Sequence, residues 1–431
     1  MTALLFISLF VLLLLGVPVA FSMGLASVFS MILGDISLEV AIQRIFAAMN
    51  SFPLMAIPFF ILAGSLMEFG GISQRLINFA NSIVGNITGG LGMVTVLTAM
   101  FFSAISGSGA ATVAALGSIL IPAMVRRGFP KSTATSIQAV SGELGVVIPP
   151  SIPLIIFAIS AGVSISIRDL FMAGLVPGII IGFLLMITVY VVTKVKGFNT
   201  KDTAKEDEVE REGFFTSFRK AILPLLMPII ILGGIYGGIF TPTEAAAIAV
   251  GYALVLGIFI YRTLNLSNLM EVFRNSVIST SIIMFIIGNA GLFGWVLTSE
   301  RMPTRVTDWF LAFSESPIVF LLLVNLILLF VGMFIETGAA IVIMAPILTP
   351  VAMSFGVDPI HFGIIMIVNL AMGMVTPPIG VNLFVSSQIA GIRIEQMLKP
   401  LLPFYAVLIL SILLITYLPQ ISLWLPNLLN N

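Results

Sequence analysis

GVVIPPSIPL (Gly145–Leu154) and GMVTPPIGVN (Gly373–Asn382) each place a glycine four residues before the first of two adjacent prolines. Proline has no amide hydrogen, so it cannot bond the carbonyl four residues earlier. Pro149 and Pro150 therefore free the carbonyls of Gly145 and Val146, and Pro377 and Pro378 free those of Gly373 and Met374. In an apolar surrounding an unpaired carbonyl costs several kcal/mol. A small cation can satisfy it, and a glycine leaves room for the ion to approach. Two further stretches supply hydroxyls. SGSGAATVAALGSILIP (Ser106–Pro122) lies opposite IETGAAIVIMAPILTP (Ile335–Pro350), one residue out of step, when the two double prolines are superposed. The expected cation sites are thus Ser103, Ser106, Ser108, Gly145, Val146 and Ile148 in the first half, and Gly332, Thr337, Gly338, Gly373, Met374 and Thr376 in the second.

The elements that must hold these residues belong to a membrane protein. Of the 431 residues, 59% are hydrophobic and 9% charged, against about 25% charged in ordinary soluble domains. Runs such as Leu170–Val192 meet the roughly 20 residues needed to cross a bilayer. The first 20 residues hold no Lys or Arg and so lack the basic start of a signal peptide. There is no cysteine for thiol chemistry, and a formal net charge of zero gives no reason to expect nucleic acid.

The expected fold is an all-α polytopic protein with about 10–12 transmembrane helices plus two re-entrant hairpins in an inverted repeat. The N-terminal repeat spans residues 1–193, with a hairpin at about 91–125 and a broken helix at about 131–162. A mixed-charge segment, 194–220, is read as a cytoplasmic linker. The C-terminal repeat spans 221–431, with a hairpin at about 319–352 and a broken helix at about 360–390. SLMEFGGISQR (Ser65–Arg75) lies opposite VLTSERMPTRV (Val296–Val306), extending the repeat upstream.

Arg126, Arg127 and Lys131 follow the first hairpin, whereas no Lys or Arg flanks the second closely. Basic residues favour the cytoplasmic side, so the two hairpins are expected to enter from opposite faces. This arrangement puts 15 of the 19 Lys and Arg inside and four outside: Arg75, Arg168, Arg262 and Arg274. It requires Ala221–Tyr261 to cross an odd number of times, as a long kinked or partly interfacial segment.

FSAISGSGAATVAALGSILIPAMVRRGFPK, SGELGVVIPPSIPLIIFA, YGGIFTPTEAAAIAV, VGMFIETGAAIVIMAPILTPVA and MGMVTPPIGVNLF together resemble the large membrane subunit of tripartite ATP-independent periplasmic (TRAP) transporters. The resemblance covers essentially the whole chain. It implies sodium-coupled import in a bacterial inner membrane by an elevator motion. Two partners come with it: a small four-helix membrane subunit (Q type) and a periplasmic substrate-binding protein (P type). The implied substrates are organic acids, among them sialic acid, the first expectation here, and C4-dicarboxylates. Glu336 stands where the family commonly has aspartate, which leaves its role open. A self-sufficient sodium–carboxylate symporter of the same superfamily is the alternative.

Intramembrane charges are functional candidates. Arg301 and Glu336 are the substrate candidates, although an interfacial arginine fits Arg301 equally well. Glu143, just before the first break, suits either a structural or a functional role. Glu244 in TPTEAAA resembles a carboxylate at a helix N-terminus, and His361, alone, is assigned no metal. A pump would need GxxxxGK[ST], yet no Gly-Lys pair occurs. An intramembrane serine protease would need a base for its nucleophile, and the sole histidine is remote.

Overall fold

The structure, a computed structural model, describes residues 2–198 and 213–430. Most of the expected linker, 199–212, lies outside the described residues. Among the described residues every regular element is helical. The chain opens with α1 (Thr2–Leu14), α2 (Val19–Leu33), α3 (Leu38–Met49), α4 (Ala56–Phe69) and α5 (Ile72–Val84). A hairpin of α6 (Gly90–Ser106) and α7 (Gly109–Arg126) precedes a broken helix, α8 (Lys131–Ser141), α9 (Leu144–Val147) and α10 (Ile152–Ser160), and then α11 (Ile167–Lys196). The second part runs through α12 (Phe214–Tyr236), α13 (Pro242–Val255), α14 (Leu266–Ser299) and α15 (Met302–Phe313). A second hairpin, α16 (Pro317–Phe334) and α17 (Thr337–Ser354), leads to α18 (Pro359–Gly373), α19 (Val381–Ala390), α20 (Glu395–Tyr417) and α21 (Pro419–Asn430).

Nine helices among the described residues are long and apolar enough to cross a membrane, or ten if the pair bent by 46° at the first double proline counts as one span. The chain is therefore a multi-pass membrane protein. That count corrects the expected 10–12 spans beside two hairpins, because three hairpin arms, α7, α16 and α17, are themselves among the nine. The arms have 17 or 18 residues, about 26 Å of rise, just under the ~30 Å hydrocarbon core.

Local chemistry explains the helix ends. Ser166 accepts from the Asp169 amide (3.2 Å) and Asn265 from the Asn268 amide (2.8 Å), the pattern of side-chain N-caps. Thr241 and Glu244 form a reciprocal capping box at the start of α13. With Gly238 in the left-handed region (φ 70°), that box turns the chain back on itself. Tyr252 of α13 donates to the carbonyl of Leu223 in α12 (2.8 Å), so the two helices run antiparallel. Both are long and apolar enough to cross. The single kinked segment expected over Ala221–Tyr261 is thus two spans.

Tertiary packing moves Arg75. One pocket is lined by Arg75, Arg219, Lys220 and Tyr261, and the Arg75 guanidinium lies 3.7 Å from the Tyr261 ring centroid. Arg75, with Arg262 beside Tyr261, belongs to the side of the linker flank at Arg219, not the opposite side.

α11 gives the molecule a ruler of 30 residues, about 45 Å. At its C-terminal end Phe198 packs 5.9 Å from Phe129, at the base of the first hairpin. At its N-terminal end Asp169 accepts from Asn430 of α21 (3.0 Å). α21 follows α20, whose Tyr417 hydroxyl donates to Ile318 at the base of the second hairpin (3.1 Å).

The hairpins and broken helices pack on one another: α7 against α8 and α19, α10 against α17, and α16 against α18. α2, α3, α4, α13 and α14 form a second group around them, in contact through α14 with α17 and α10. α18 is buried on every side from His361 to Gly373, as a sequence apolar all round except at His361 and Asn369 leads one to expect.

Candidate functional site

The first hairpin turns at Gly107, which holds a left-handed conformation (φ 61°) that glycine adopts without strain. Its carbonyl accepts from the Ile152 amide beyond the double proline (3.2 Å). The Ser106 and Thr112 hydroxyls are 3.0 Å apart, and Thr112 donates to the Ser108 carbonyl (2.8 Å). A Cβ at Gly145 would sit 2.5 Å from that carbonyl oxygen. The structure thus brings Ser106, Ser108, Gly145 and Val146 together. Ser103 lies a turn earlier, fully buried, and its hydroxyl has no hydrogen-bond partner among the described residues. Ile148 is buried one residue before the prolines.

The second half repeats the plan. The Ile379 amide, after Pro377–Pro378, donates to Met333 of the hairpin (3.3 Å). A Cβ on Gly373 would lie 2.5 Å from the Gly332 Cα, so hairpin and break meet through two glycines. Thr337 is 1% exposed and its hydroxyl has no partner among the described residues. Gly338, also buried, follows it into α17. Thr376 donates to the Met372 carbonyl (2.7 Å).

Three of the four freed carbonyls are nevertheless satisfied by the protein, which corrects the expectation. Ser151 donates to Val146 (2.5 Å). The Thr376 amide donates to Gly373 and the Asn382 amide to Met374, each at 3.0 Å. A carbonyl has a second lone pair, so these oxygens can still take part in a site, but they are not orphans. Among the described residues, buried side-chain oxygens near the breaks and hairpins also lack a hydrogen-bond partner, among them Ser103 Oγ, Thr337 Oγ1, Asn382 Oδ1 and both carboxylate oxygens of Glu143.

Both halves line one cavity of about 620 Å³, which takes in Ser108, Val146 and Pro153 from the first, Glu336, Gly338 and Met374 from the second, and a stretch of α14 around Ile282–Ile287. Among the described residues none that lines it is basic. Glu336 turns its carboxylate back to accept from the Ala339 amide (3.1 Å), capping α17. Ser108, by contrast, heads α7 without a side-chain cap bond, so the first amides of α7 keep their partial positive charge towards the cavity. Arg301 is not brought to the cavity. It is exposed at the start of α15 in a left-handed conformation (φ 54°), a helix-boundary residue and not a substrate ligand in this structure.

Two features escaped sequence reasoning. Asn382 reaches across from the second half: its Nδ2 lies 3.5 Å from the Ala139 carbonyl of α8. Its only signal was one amide in an apolar run. A smaller cavity of about 330 Å³ holds Ser65, Glu68 and Ser279 beside Ser106 and Ser108; Glu68 lay inside the upstream repeat match without being singled out. His361 contacts the Thr416 carbonyl (3.2 Å), and Thr416 joins Asn325 and Asn369 in a buried chain of hydrogen bonds.

The family model for the DctM component of tripartite ATP-independent periplasmic transporters matches residues 6–421. The chain is 45% identical to the C4-dicarboxylate TRAP transporter large permease protein DctM of Pseudomonas aeruginosa, covering 94% of each. It is 44% identical to the isethionate TRAP transporter permease protein DctMQ of Oleidesulfovibrio alaskensis, with 96% of this chain spanning 64% of that protein. Identity to the sialic acid large permease SiaM of Vibrio cholerae is 39%, over 96% of this chain and 95% of SiaM. The fold is similar to that of the Alcanivorax borkumensis YdaH transporter, with a TM-score of 0.63 over 87% of this chain and 86% of that one, at 17% identity.

Proposed function

Since the chain belongs to the DctM family of tripartite ATP-independent periplasmic transporters, we propose that it is the large permease subunit of a sodium-coupled importer of an organic anion. The observation that carries this reading is the cavity between the two hairpin tips, whose described lining holds no basic side chain and one carboxylate, Glu336. A carboxylate substrate entering such a site without countercharge would lose several kcal/mol of solvation. The α7 amides supply part of that charge. Coupling cations held by the hydroxyls at Ser103, Ser106, Ser108 and Thr337 supply the rest, so anion and cations bind best together.

The same packing supports an elevator motion. The hairpins and broken helices contact one another as one group, α2, α3, α4, α13 and α14 form a frame, and the two hairpin bases lie towards opposite ends of α11. Relative to the frame, the inner group would carry the cavity from one face to the other, with the hairpins re-entering from opposite sides. A small four-helix subunit would extend the frame in the bacterial inner membrane, and a periplasmic binding protein would deliver the substrate. Relatives named for C4-dicarboxylates, sialic acid and isethionate share only the class of small organic anion. We take that class, with sialic acid or a C4-dicarboxylate as first candidates, and place the finer choice in the soluble partner.

Uptake of the acid into proteoliposomes holding both membrane subunits should require the binding protein and an inward sodium gradient, and proceed without ATP. Equal uptake driven by a proton gradient in sodium-free buffer would overturn the sodium assignment.

A further inference from the structure

Away from the central cavity, α5, α12 and the chain after α13 enclose a pocket of about 500 Å³ lined by Gln74, Arg75, Asn78, Arg219, Lys220 and Tyr261. The guanidinium groups of Arg75 and Arg219 face one space. Arg75 is held in place: it donates to the Gly71 carbonyl (2.7 Å) and lies over the Tyr261 ring. Gln74 and Asn78 are bonded to each other (2.9 Å), leaving an ordered amide edge beside the guanidinium. Arginine forks and amides together suit the oxygens of a phosphate.

The setting selects the source of that phosphate. α12 starts beside the pocket and runs on as an apolar span. Phe79 lies 5.9 and 5.7 Å from Phe214 and Phe218. Phe215 is 84% exposed, and Phe214, Phe218 and Ile222 are exposed too. Polar groups thus sit at headgroup height with bare apolar side chains directly alongside. We propose that this pocket binds the phosphate of an anionic phospholipid, with the acyl chains lying over Phe214, Phe215 and Ile222, and so ties α5 to α12 at the membrane boundary. Basic pockets at membrane interfaces take acidic headgroups, each cation strengthening binding about fivefold.

Native mass spectrometry of the purified protein, titrated with phosphatidylglycerol or phosphatidylethanolamine, tests this. The wild type should prefer phosphatidylglycerol. Arg219→Gln, which leaves the Arg75–Tyr261 stack intact and so guards against a folding defect, should lose about fivefold of phosphatidylglycerol affinity. Adding Arg75→Gln should bring the loss to about 25-fold. Arg274→Gln, the same charge change at an exposed site on α14, should leave the preference intact. Unchanged selectivity in the double variant, or an equal loss in Arg274→Gln, would overturn the site. Displacement of bound lipid by millimolar inorganic phosphate would overturn the lipid assignment in favour of a free anion.

Discussion

Thr337→Val separates a cation ligand from a packing defect, because the two predict opposite signs. The Thr337 hydroxyl is buried and has no hydrogen-bond partner among the described residues, and an unsatisfied buried hydroxyl costs ~1–3 kcal/mol. Valine keeps the shape and removes the hydroxyl. In sodium-free choline buffer the variant should therefore be at least as stable as the wild type, and up to ~1–3 kcal/mol more so. In sodium that advantage shrinks, and reverses where it is under ~1.8 kcal/mol, if the hydroxyl is a ligand. A contact to a charged group contributes ~1.5–3 kcal/mol, so its loss should raise the half-saturating sodium concentration roughly 10- to 150-fold, at ~1.4 kcal/mol per tenfold.

Thermal unfolding measured against sodium, with choline keeping ionic strength constant, reads both effects. At 100 times its dissociation constant, sodium stabilises the wild type by ~2.7 kcal/mol, whereas a variant weakened 30-fold gains only ~0.9. Thr349→Val is the internal control. Thr349 lies on the same helix, fully buried and likewise without a partner among the described residues, but more than three turns from the tip. It should gain stability in choline and keep the wild-type sodium shift. Parallel sodium curves for Thr337→Val and wild type would refute the ligand role, and Ser103→Ala puts the same question to the first half.

Gly373→Ala should cost ~1–3 kcal/mol through overpacking, because its Cβ meets the Gly332 backbone. Gly251→Ala in α13, with open space around it, should gain up to ~1 kcal/mol; thermal denaturation compares the two. In a chain without native cysteine, Lys131→Cys and Arg219→Cys should label with an impermeant maleimide from one side of the membrane and Ser354→Cys from the other. Labelling of all three from one side would remove the inverted arrangement. At the α14–α15 junction the Thr2 hydroxyl donates to Glu300 (2.7 Å) and holds its carboxyl below the ordinary glutamate value. That contribution is complete above the ordinary value and lost as pH falls through the depressed one, so Thr2→Val should lose less stability than wild type on acidification in a thermal melt.

Breaks and hairpin tips were legible because their causes are local. A proline lacks its amide hydrogen wherever it sits, and Gly107 or Gly145 declares a close approach in any surroundings. The number of crossings between Ala221 and Tyr261 was not, since apolar length alone does not say where a helix ends. The deciding cue was present, in Thr241–Pro242–Thr243–Glu244, but reading Glu244 as one carboxylate at a helix start missed that a new antiparallel helix began there. The side assigned to Arg262 then failed with the crossing count, as basic-residue rules place a charge only once the crossings before it are known, and Arg75 moved with it because the two ends pack together. α8 shows the converse. KSTATSIQAVS looks too polar for a core, yet Thr133–Ser141 are all buried. Thr135, Ser136 and Ser141 donate to carbonyls of their own helix, four residues back, which removes most of the penalty for burying them.

The chemistry of the site changed for a related reason. Counting lost amide hydrogens identifies which carbonyls a proline frees, but not who arrives to bond them. Ser151 is next to the break it serves, while the Asn382 amide reaches Met374 only because the chain doubles back through Gly380, in the left-handed region at φ 49°. Once those donors are in place, one freed carbonyl, that of Gly145, is left, and among the described residues it is joined by hydroxyls on the hairpins and carboxylate or amide oxygens on the broken helices. A cation that the prolines alone would have assigned to the backbone is therefore better matched to side chains that the two halves do not share by sequence, Ser103 in one and Thr337 in the other. Their replacement, unlike that of a carbonyl, can be made without moving the chain.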